Sequence, residues 1–558
     1  MNFKPRIGSY RIIHTSAISF YFSSIKANFS LAFALAFMFL ITICFANILD
    51  YTAYAQQELN ITHGVASGDV TNQSATIWSR SNSQSMMNVE YDTNENLSNA
   101  MYQEGSVANA STDFTAKANL VGLKPSTQYF YRVWFSDPSN SNNTSNPVIG
   151  KFITAPIQNG EFNNNTTEEI RFIWGADLGG QSYCRNEMDN GYKIFESMQS
   201  LNPHFFIANG DMIYADGICP AEGPVDIKNN MTWKNIPGDF KSITDPSVNW
   251  KNQSEVEEVF IDHWKYNRND SYFQNFLKNT SMYSQWDDHE IINDFGSKWP
   301  FLNLFNIERE GYPNIVKEGL SAFFYYSPIK TGTIEDNPSG IYRSFNWGKP
   351  LDLFILDARS YRDQNHVADT PENNKTLLGN NQLEWLKQGL LNSNATWKIV
   401  SSDVPLSIPT GSNASILGRD GWANGNDTNY SKYTGFEKEL NDLFRFIDEN
   451  KLKNIVFVTT DVHFPAFIKY DYDLDNDGNS TIIYELISGP LSAFRGGVPF
   501  PALDKSFNPT LLYGEGDIFN FGYVKIIKDK DSTNHLIADI RDTNGNPREG
   551  SKVEIAPR

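Results

Sequence analysis

The chain has 558 residues, which is room for more than one domain at roughly 100–200 residues each. Hydrophobic residues make up 40% of the chain and aromatic residues 14%, which excludes a disordered protein. The formal net charge of −19 argues against nucleic-acid binding, which needs a basic surface. A phosphate-handling site would need local positive charge, from metal ions or a few arginines, within this negative surface.

The first 55 residues predict export. Residues 1–30 hold four basic residues and no acidic residue, residues 31–49 are almost wholly apolar, and a small-x-small cleavage pattern ends at Ala55. We therefore predict a signal peptide that is cut after Ala55. An uncleaved membrane anchor is the alternative, because the apolar run approaches the length of about 20 residues that spans a bilayer. In both cases the chain from about residue 56 onward is predicted to be extracytoplasmic, secreted or on the cell surface.

Two further features agree with an oxidising compartment. Cys184 and Cys219 are the two cysteines that follow the predicted cleavage site, and such an isolated pair is a disulfide candidate. We predict that they are bonded; two free thiols or one soft metal ligand are the alternatives. Asn-x-Ser/Thr sites such as Asn60 and Asn72 are frequent, which predicts a glycoprotein.

Residues 57–155 predict a β-sandwich domain. Short stretches of alternating or β-branched residues recur at regular spacing, with Gly, Asn, Ser and Pro between them. Residues 123–131 resemble the turn-into-strand corner of fibronectin type III domains. We expect strands at 65–70, 74–79, 87–91, 113–120, 129–135 and 150–154, and a polar loop at 137–147. The domain boundary is placed in the polar, Gly/Asn-rich segment 155–169.

From residue 170 the pattern changes to buried strands that alternate with helices, which predicts an α/β sheet with helices on both faces. We expect this second domain to span residues 168–545. The predicted strands are 171–174, 205–208, 353–356, 398–401, 454–459, 482–487, 522–527 and 535–541. The predicted helices are 190–200, 255–276, 382–391 and 435–449.

Carboxylates follow several of the buried strands. They are Asp177, Asp211, Asp288, Asp403 and Asp461, and His289 and His463 lie close behind two of them. A buried carboxylate is costly unless it is paired or bound to metal, so packing does not explain five such strand ends. Sites in open α/β sheets form at the carboxyl ends of strands. If these ends converge, their oxygens and imidazoles, with the phenol of Tyr214, suit two or more cations, and a pair of metal ions suits phosphoester hydrolysis.

Four stretches, residues 177–179, 210–214, 287–290 and 461–463, carry a family resemblance. In this order they resemble the blocks of the calcineurin-like metallophosphoesterases, and most of all the PhoD-like (alkaline phosphatase D) branch. The resemblance covers about residues 60–540. It implies an N-terminal β-sandwich followed by an α-β-β-α metallophosphoesterase domain. It also implies an exported enzyme that hydrolyses phosphomonoesters, phosphodiesters or both with a metal-bound hydroxide as the nucleophile.

The same resemblance implies a multinuclear metal centre. The ligands implied for the first metal are Asp177, Asp211, Tyr214 and His463. The ligands implied for the second metal, which Asp211 bridges to the first, are Asp288, Asp403 and Asp461. The tyrosine indicates Fe(III) at the first position, and the carboxylates favour Ca²⁺ at the second, with other divalent cations as alternatives.

His289 and Arg359 are the predicted catalytic residues. The resemblance implies that His289 gives a proton to the leaving oxygen, which a histidine can do near neutral pH. It implies that Arg359, and with it Arg362, forks onto the phosphate. The chain departs from some relatives at Asp177, where they carry a cysteine, and in lacking an adjacent arginine pair near the N-terminus.

Several other interpretations accompany these predictions. A catalytically inactive surface-binding or adhesion protein on a phosphatase scaffold is the alternative function. We predict a phosphate ester as the partner, no specific nucleic-acid binding, and a membrane only if the N-terminal segment is uncleaved. Residues 471–479 have the aspartate spacing of a Ca²⁺ loop but lack its terminal glutamate, so a solvated hairpin loop is favoured. His63, His204, His263, His366 and His535 are predicted to be structural or on the surface.

Overall fold

Most of the chain from Glu58 onward is described by the structure, a computed structural model. The described residues are 58–160, 169–226, 230–296, 311–330, 340–365, 367–370, 372–408, 420–423, 435–497, 503–529 and 533–558. The predicted signal peptide and His366 lie outside these residues. No helix within them combines the length and apolar character that crossing a membrane requires.

The N-terminal strands form two antiparallel sheets that share a core. The strands are β1 (Ile61–Gly68), β2 (Ser74–Ser81), β3 (Ser85–Asp92), β4 (Met101–Ala108), β5 (Thr115–Val121), β6 (Gln128–Asp137), β7 (Asn140–Thr144) and β8 (Val148–Ile153). β1, β2 and β5 form one sheet, and β3, β4, β6, β7 and β8 form the other. Alternate residues such as Ile77, Val89 and Tyr131 are fully buried in the shared core. The sequence did not predict β4, whose side chains are largely exposed, or β7, which lies in the expected polar loop.

One of these N-terminal sheets continues into a central nine-stranded sheet. The added strands are β9 (Glu169–Gly175), β10 (Phe205–Asn209), β13 (Ser281–Gln285), β21 (Asn520–Lys528), β22 (Asn534–Asp542) and β23 (Val553–Ile555), and β11 (Glu222–Val225) and β12 (Thr232–Lys234) form a separate hairpin. The order is β23-β22-β21-β9-β10-β13-β1-β2-β5. β1 runs parallel to β13, with Gly68 opposite Met282. Strands from both predicted domains thus pair in one sheet. The boundary between the two domains stays a prediction.

A second sheet of seven strands packs against the first. Its strands are β14 (Arg343–Trp347), β15 (Leu351–Ile355), β16 (Trp397–Ser401), β17 (Ile455–Thr459), β18 (Ala466–Tyr472), β19 (Thr481–Ile487) and β20 (Pro509–Gly514). The order is β14-β15-β16-β17-β19-β18-β20, and β15, β16, β17 and β19 run parallel. Buried side chains from both sheets, such as Phe205, Trp347 and Val458, form the core between them.

Helices cover the outer faces of both sheets. They are α1 (Ile194–Ser200), α2 (Gln253–Arg268), α3 (Ser271–Leu277), α4 (Tyr312–Tyr326), α5 (Gly379–Asn392) and α6 (Glu437–Glu449). Buried residues of α1 to α4 belong to the core on the first sheet, and those of α5 and α6 belong to the core on the second. The predicted helix 255–276 is two helices, because Asp270 caps α3 by accepting the backbone N–H of Phe273. The sequence did not predict α4.

Candidate metal centre

Parallel strands of both sheets end at a shared edge. In the first sheet Ala208 lies opposite Gly175 and Asn209 lies opposite Gln285, so β9, β10 and β13 end together. The edges of the two sheets are joined there, because Asn209 Nδ2 donates to Ser401 Oγ at 2.9 Å. Residues that follow these strands therefore converge, as expected for the carboxyl ends of parallel strands.

Asp177, Tyr214 and His463 lie together at this edge. Tyr214 Oη is 3.4 Å from Asp177 Oδ1 and 3.3 Å from His463 Nε2. Asp177 Oδ2 is buried and has no hydrogen-bond partner. A Cβ atom at Gly489 would lie 2.3 Å from Asp177 Oδ2, so glycine at this position makes room for the carboxylate. These three side chains present oxygen and nitrogen donors to one point.

The orientation of His463 suits metal binding. Its Nδ1 lies 2.5 Å from the carbonyl oxygen of Phe494, so Nδ1 carries the proton and Nε2 keeps its lone pair. Nε2 faces Tyr214 and lies 3.9 Å from Asp177 Oδ1. Burial lowers the pKa of His463 to about 4. The imidazole is therefore neutral near pH 7, which is the form that ligates metals.

Asp211 and the carboxylates after β13 form two adjoining groups. Oδ1 of Asp211 accepts the backbone N–H of His289 at 3.0 Å, and its Oδ2 is buried without a partner. Potential ligand atoms of Asp211, Asp288 and His289 lie within 4.8 Å of one another. The same holds for Asp287, Asp288 and Asp461. Asp288 belongs to both groups, so the two groups adjoin.

These acids disfavour one another's ionisation. Burial raises the pKa of Asp211 well above its usual range, and the charge of Asp288 raises it further. Burial also raises the pKa of Asp461 and brings that of Asp177 to about 8. Burial raises the pKa of Tyr214 as well, and the nearby charge of Asp211 raises it further. A bound cation would reverse this effect by favouring the charged forms.

Asp403 and Arg359 take part in a buried ion-pair network. Both oxygens of Asp403 accept hydrogen bonds, Oδ1 from Gln285 Nε2 at 3.1 Å and Oδ2 from Arg359 Nε at 3.1 Å. Arg359 also donates to Asp287 Oδ1 at 2.6 Å and to Asp420 Oδ2 at 2.6 Å, and it is fully buried. Asp288 Oδ1 also lies 3.7 Å from Arg359 Nη2, so four carboxylates surround the guanidinium that was predicted to fork onto phosphate.

Arg362 joins this network through Asp420. Its Nη2 donates to Asp420 Oδ1, and the guanidinium lies over the ring of Phe436. Burial alone would raise the pKa of Asp420, but the charges of Arg359 and Arg362 lower it to about 2. Asp420 also shares a potential cation position with Asp288 and Asp294. The sequence did not single out Asp420, since no buried strand precedes it.

Asp216 is a site residue that the sequence analysis missed. Its Oδ1 lies 2.7 Å from Nδ1 of His289 and orients this histidine. Burial alone would lower the pKa of His289, but the charges of Asp216 and Asp288 raise it to about 9. The ring of Tyr214 stacks on the imidazole at a centroid distance of 4.1 Å. His289 is thus a protonated, oriented group beside Asp211.

Glu290 is a second missed residue. It is buried and accepts three backbone N–H groups, from Asp211 at 2.9 Å, Met212 at 2.7 Å and Asp287 at 2.8 Å. These bonds fasten the turn after β10 to the turn after β13. Burial raises the pKa of Glu290 to about 7 although the three N–H groups favour its charge.

The predicted disulfide is confirmed. Cys184 and Cys219 are bonded, with their Cα atoms 5.8 Å apart. The bond links the segments that follow Asp177 and Tyr214. The two alternatives, free thiols and a soft metal ligand, are therefore wrong.

The remaining histidines have structural or surface surroundings. His204 is buried and stacks on Trp347, and His263 lies within hydrogen-bonding distance of the carbonyl oxygens of Val259 and Gly217. His63 is half-buried, and His535 lies on the surface beside Asp529.

The acidic segment 471–479 ends β18 and continues into the hairpin connection to the antiparallel strand β19. Within it, oxygens of Asp473 and Asp475 come within 4.8 Å of each other and of Asp448 on α6. Asp448 also accepts the backbone N–H of Leu474 at 2.6 Å, which holds the loop against the helix.

The fold consists of two packed sheets, and carboxylates, a tyrosine and histidines are buried together at their shared edge. These features are typical of an α/β metalloprotein. Comparison with known families gives the particular family. The model of the PhoD-like phosphatases matches residues 173–534, and the model of their N-terminal domain matches residues 48–156. The chain belongs to the PhoD-like phosphatase family.

Individual relatives agree with this assignment. The chain is 23% identical over 431 residues to alkaline phosphatase D of Bacillus subtilis (strain 168), a match that covers 72% of this chain and 64% of that protein. The chain thus spans less than two thirds of the length of this relative. The structure of PhoD has a TM-score of 0.67 at 18% identity and covers 91% of this chain and 94% of its own.

A purple acid phosphatase from yellow lupin (Lupinus luteus) seeds is also similar in structure. Its TM-score is 0.55 at 13% identity, and the match covers 88% of this chain and 73% of that chain. At these identities the likeness to solved structures shows a shared fold.

Proposed function

We propose that the chain is an exported phosphoesterase that hydrolyses phosphomonoesters, phosphodiesters or both at a multinuclear metal centre. One observation carries the proposal: carboxylate oxygens without a hydrogen-bond partner are buried together at the shared strand edge. They belong to Asp177, Asp211, Asp287, Asp288 and Asp461. Such oxygens are costly to bury unless a cation or a donor compensates them, so they fit metal ions.

The donors present fit hard cations. We propose Fe(III) and Ca²⁺, since carboxylates, a phenol and one imidazole suit these ions. The proposed ligands of the first are Asp177, Asp211, Tyr214 and His463, and those of the second are Asp211, Asp288, Asp403 and Asp461. Asp403 can serve only if its bonds to Gln285 and Arg359 rearrange. When bound, the metals would activate a water molecule and neutralise charge on the phosphate.

His289 is the proposed proton donor. Its Nδ1–H donates to Asp216, which leaves Nε2–H to give a proton to the leaving alkoxide oxygen. Stacking on Tyr214 and the bond from its backbone N–H to Asp211 hold the imidazole beside the proposed ligands. If His289 gives this proton, the leaving group departs as an alcohol and not as an unprotonated alkoxide.

Arg359 remains a proposed catalytic residue. Its pairs with Asp287, Asp403 and Asp420 support a role in balancing the negative charge of the centre. Direct contact with phosphate requires the guanidinium to leave at least one of these carboxylates. A phosphate dianion with bound metals would have to compete with that pairing.

The compartment and the N-terminal domain complete the proposal. The Cys184–Cys219 disulfide supports an oxidising, extracytoplasmic location, reached through the N-terminal signal over residues 1–55. We further propose that the chain is glycosylated in that location. For the domain over residues 57–155 we propose a fibronectin type III-like sandwich, ahead of an α-β-β-α catalytic domain over residues 168–545.

The identity of the first metal can be tested by colour. A tyrosinate bound to Fe(III) absorbs visible light by charge transfer, so the metal-loaded protein should show a visible band that Tyr214→Phe lacks. Metal analysis of the same samples should find iron and calcium. A colourless protein with full activity would remove iron from the proposal.

The function is tested by measuring hydrolysis of one phosphomonoester and one phosphodiester. The mature chain, supplied with iron and Ca²⁺, is compared with Asp211→Ala and with the matched control Asp262→Ala, which removes a surface aspartate paired with Lys265. We expect wild type and the control to turn over and Asp211→Ala to be inactive. If metal binds but wild type and the control hydrolyse neither ester, the proposed function fails, and the alternative of a catalytically inactive binding protein replaces it.

A further inference from the structure

Phe494 is an exposed aromatic residue beside the candidate metal centre. Its side chain is 55% exposed, whereas Leu491 and Ala493 just before it are buried. The centroid of its ring lies 6.3 Å from that of His463. An exposed apolar ring thus lies beside a proposed metal ligand.

The backbone of Phe494 is held in place on both sides. Its N–H donates to Gln181 Oε1 at 3.1 Å, and its carbonyl accepts from His463 Nδ1 at 2.5 Å. The backbone N–H of Gly496 donates to the carbonyl of His463 at 2.7 Å. These bonds tie the position of the ring to the orientation of His463.

The next residue anchors the segment. The guanidinium of Arg495 lies over the rings of Tyr183 and Phe519, at 5.6 and 4.9 Å from their centroids. Its Nη2 also pairs with Asp226 Oδ2 at 2.9 Å. Arg495 therefore packs against the protein while Phe494 stays exposed, so the exposure of the ring is built into the segment.

We propose that Phe494 is a specificity residue that contacts the alcohol group of the ester and selects aromatic or other apolar alcohols over small polar ones. The inference rests on the proposed function. With the phosphoryl group held among the carboxylates and His463, the alcohol group must leave the centre past its rim. An aromatic ring fixed at that rim offers stacking and apolar contact to such a group.

The test compares phenyl phosphate with methyl phosphate as substrates of the metal-loaded protein. We expect wild type to prefer the phenyl ester, and Phe494→Ala to lower the phenyl-over-methyl ratio of kcat/KM roughly 3- to 10-fold. Phe494→Trp should restore the ratio. Tyr102→Ala is the matched control, because it removes a ring that is 54% exposed on β4.

A binding measurement separates this inference from the proposed function. Calorimetry with phenylphosphonate and methylphosphonate, which are not hydrolysed, should show the same loss of preference in Phe494→Ala. If wild type hydrolyses neither ester but the binding preference depends on Phe494, the proposed function fails, and only the contact of Phe494 with the apolar group of the ligand stands. If both ratios are equal in wild type and Phe494→Ala, the inference is overturned whether or not the esters are hydrolysed.

Discussion

Replacing Asp216 with asparagine should remove the charge that keeps His289 protonated. Oδ1 of Asp216 lies 2.7 Å from Nδ1 of His289. Burial opposes the imidazolium, yet the charges of Asp216 and Asp288 raise its pKa from 6.5 to about 9. Asparagine keeps the size of the side chain and can still accept a hydrogen bond. The pKa of His289 is therefore expected to fall from about 9 toward its ordinary value of 6.5 in Asp216→Asn.

The magnitude follows from the protonated fraction. At pH 8 a group with a pKa of about 9 is roughly 90% protonated, and one with a pKa of about 6.5 is roughly 3% protonated. If His289 donates the proton, kcat/KM at pH 8 should fall roughly 30-fold, with a smaller loss near pH 6. The raised pKa also contributes to the stability of the fold. That contribution is fully present below pH 6.5 and is lost as pH rises through about 9.

The assay is the pH profile of kcat/KM for an alkyl phosphomonoester and for p-nitrophenyl phosphate. The alkyl ester needs protonation of its leaving group, whereas p-nitrophenolate leaves without it, so Asp216→Asn should affect the alkyl ester much more strongly. Asp262→Asn, on the surface of α2, is the matched control. An alkaline limb that stays at the same pH in Asp216→Asn, or equal losses for both esters, would refute the role of this pair.

Three further predictions concern stability and metal content. The double variant Cys184→Ser/Cys219→Ser should have a free energy of unfolding about 4 kcal/mol lower in urea titrations, because the disulfide closes a loop with a sequence separation of 35. Equal stability of the reduced and the oxidised wild type would contradict this prediction. Gly489→Ala should lower the bound metal measured by elemental analysis, since its Cβ would lie 2.3 Å from Oδ2 of Asp177, a proposed ligand. Gly478→Ala is the control, because this glycine also has a positive φ but open space around it. Glu290→Gln should lower the free energy of unfolding by about 2 kcal/mol and weaken metal binding, because one buried N–H loses its acceptor. Unchanged melting temperature and metal content would show that the turns after β10 and β13 do not depend on Glu290.

Local sequence pattern was enough to locate many elements of this protein. The apolar runs before Asp177, Asp211 and Asp461 are strands because a short, uninterrupted run of buried residues suits a sheet covered on both faces. The carboxylates that follow these runs could be chosen as site candidates, because sites in open α/β sheets form at the carboxyl ends of strands. The helices α5 and α6 were visible as amphipathic repeats, and the isolated cysteine pair indicated the disulfide that the structure contains.

Other features depended on contacts between residues that are far apart in the chain. The bond between His289 and Asp216 spans 73 positions, and that between Arg359 and Asp287 spans 72. No local pattern marks such pairs, since an aspartate in a turn looks the same whether it is solvated or buried against a cation. The pairing of β1 with β13 was invisible for the same reason.

The sequence by itself determined many of the strands and helices, because propensity and hydrophobic period act over a few neighbouring residues. It also determined which acids lie at strand ends, and its motifs identified the family. Only the tertiary structure decided which of these acids face one another, which are neutralised by Arg359, and which keep buried oxygens without a partner. The physical reason is that the charge state of a buried group depends on every charge and dipole around it, and those neighbours are set by packing and not by position in the chain.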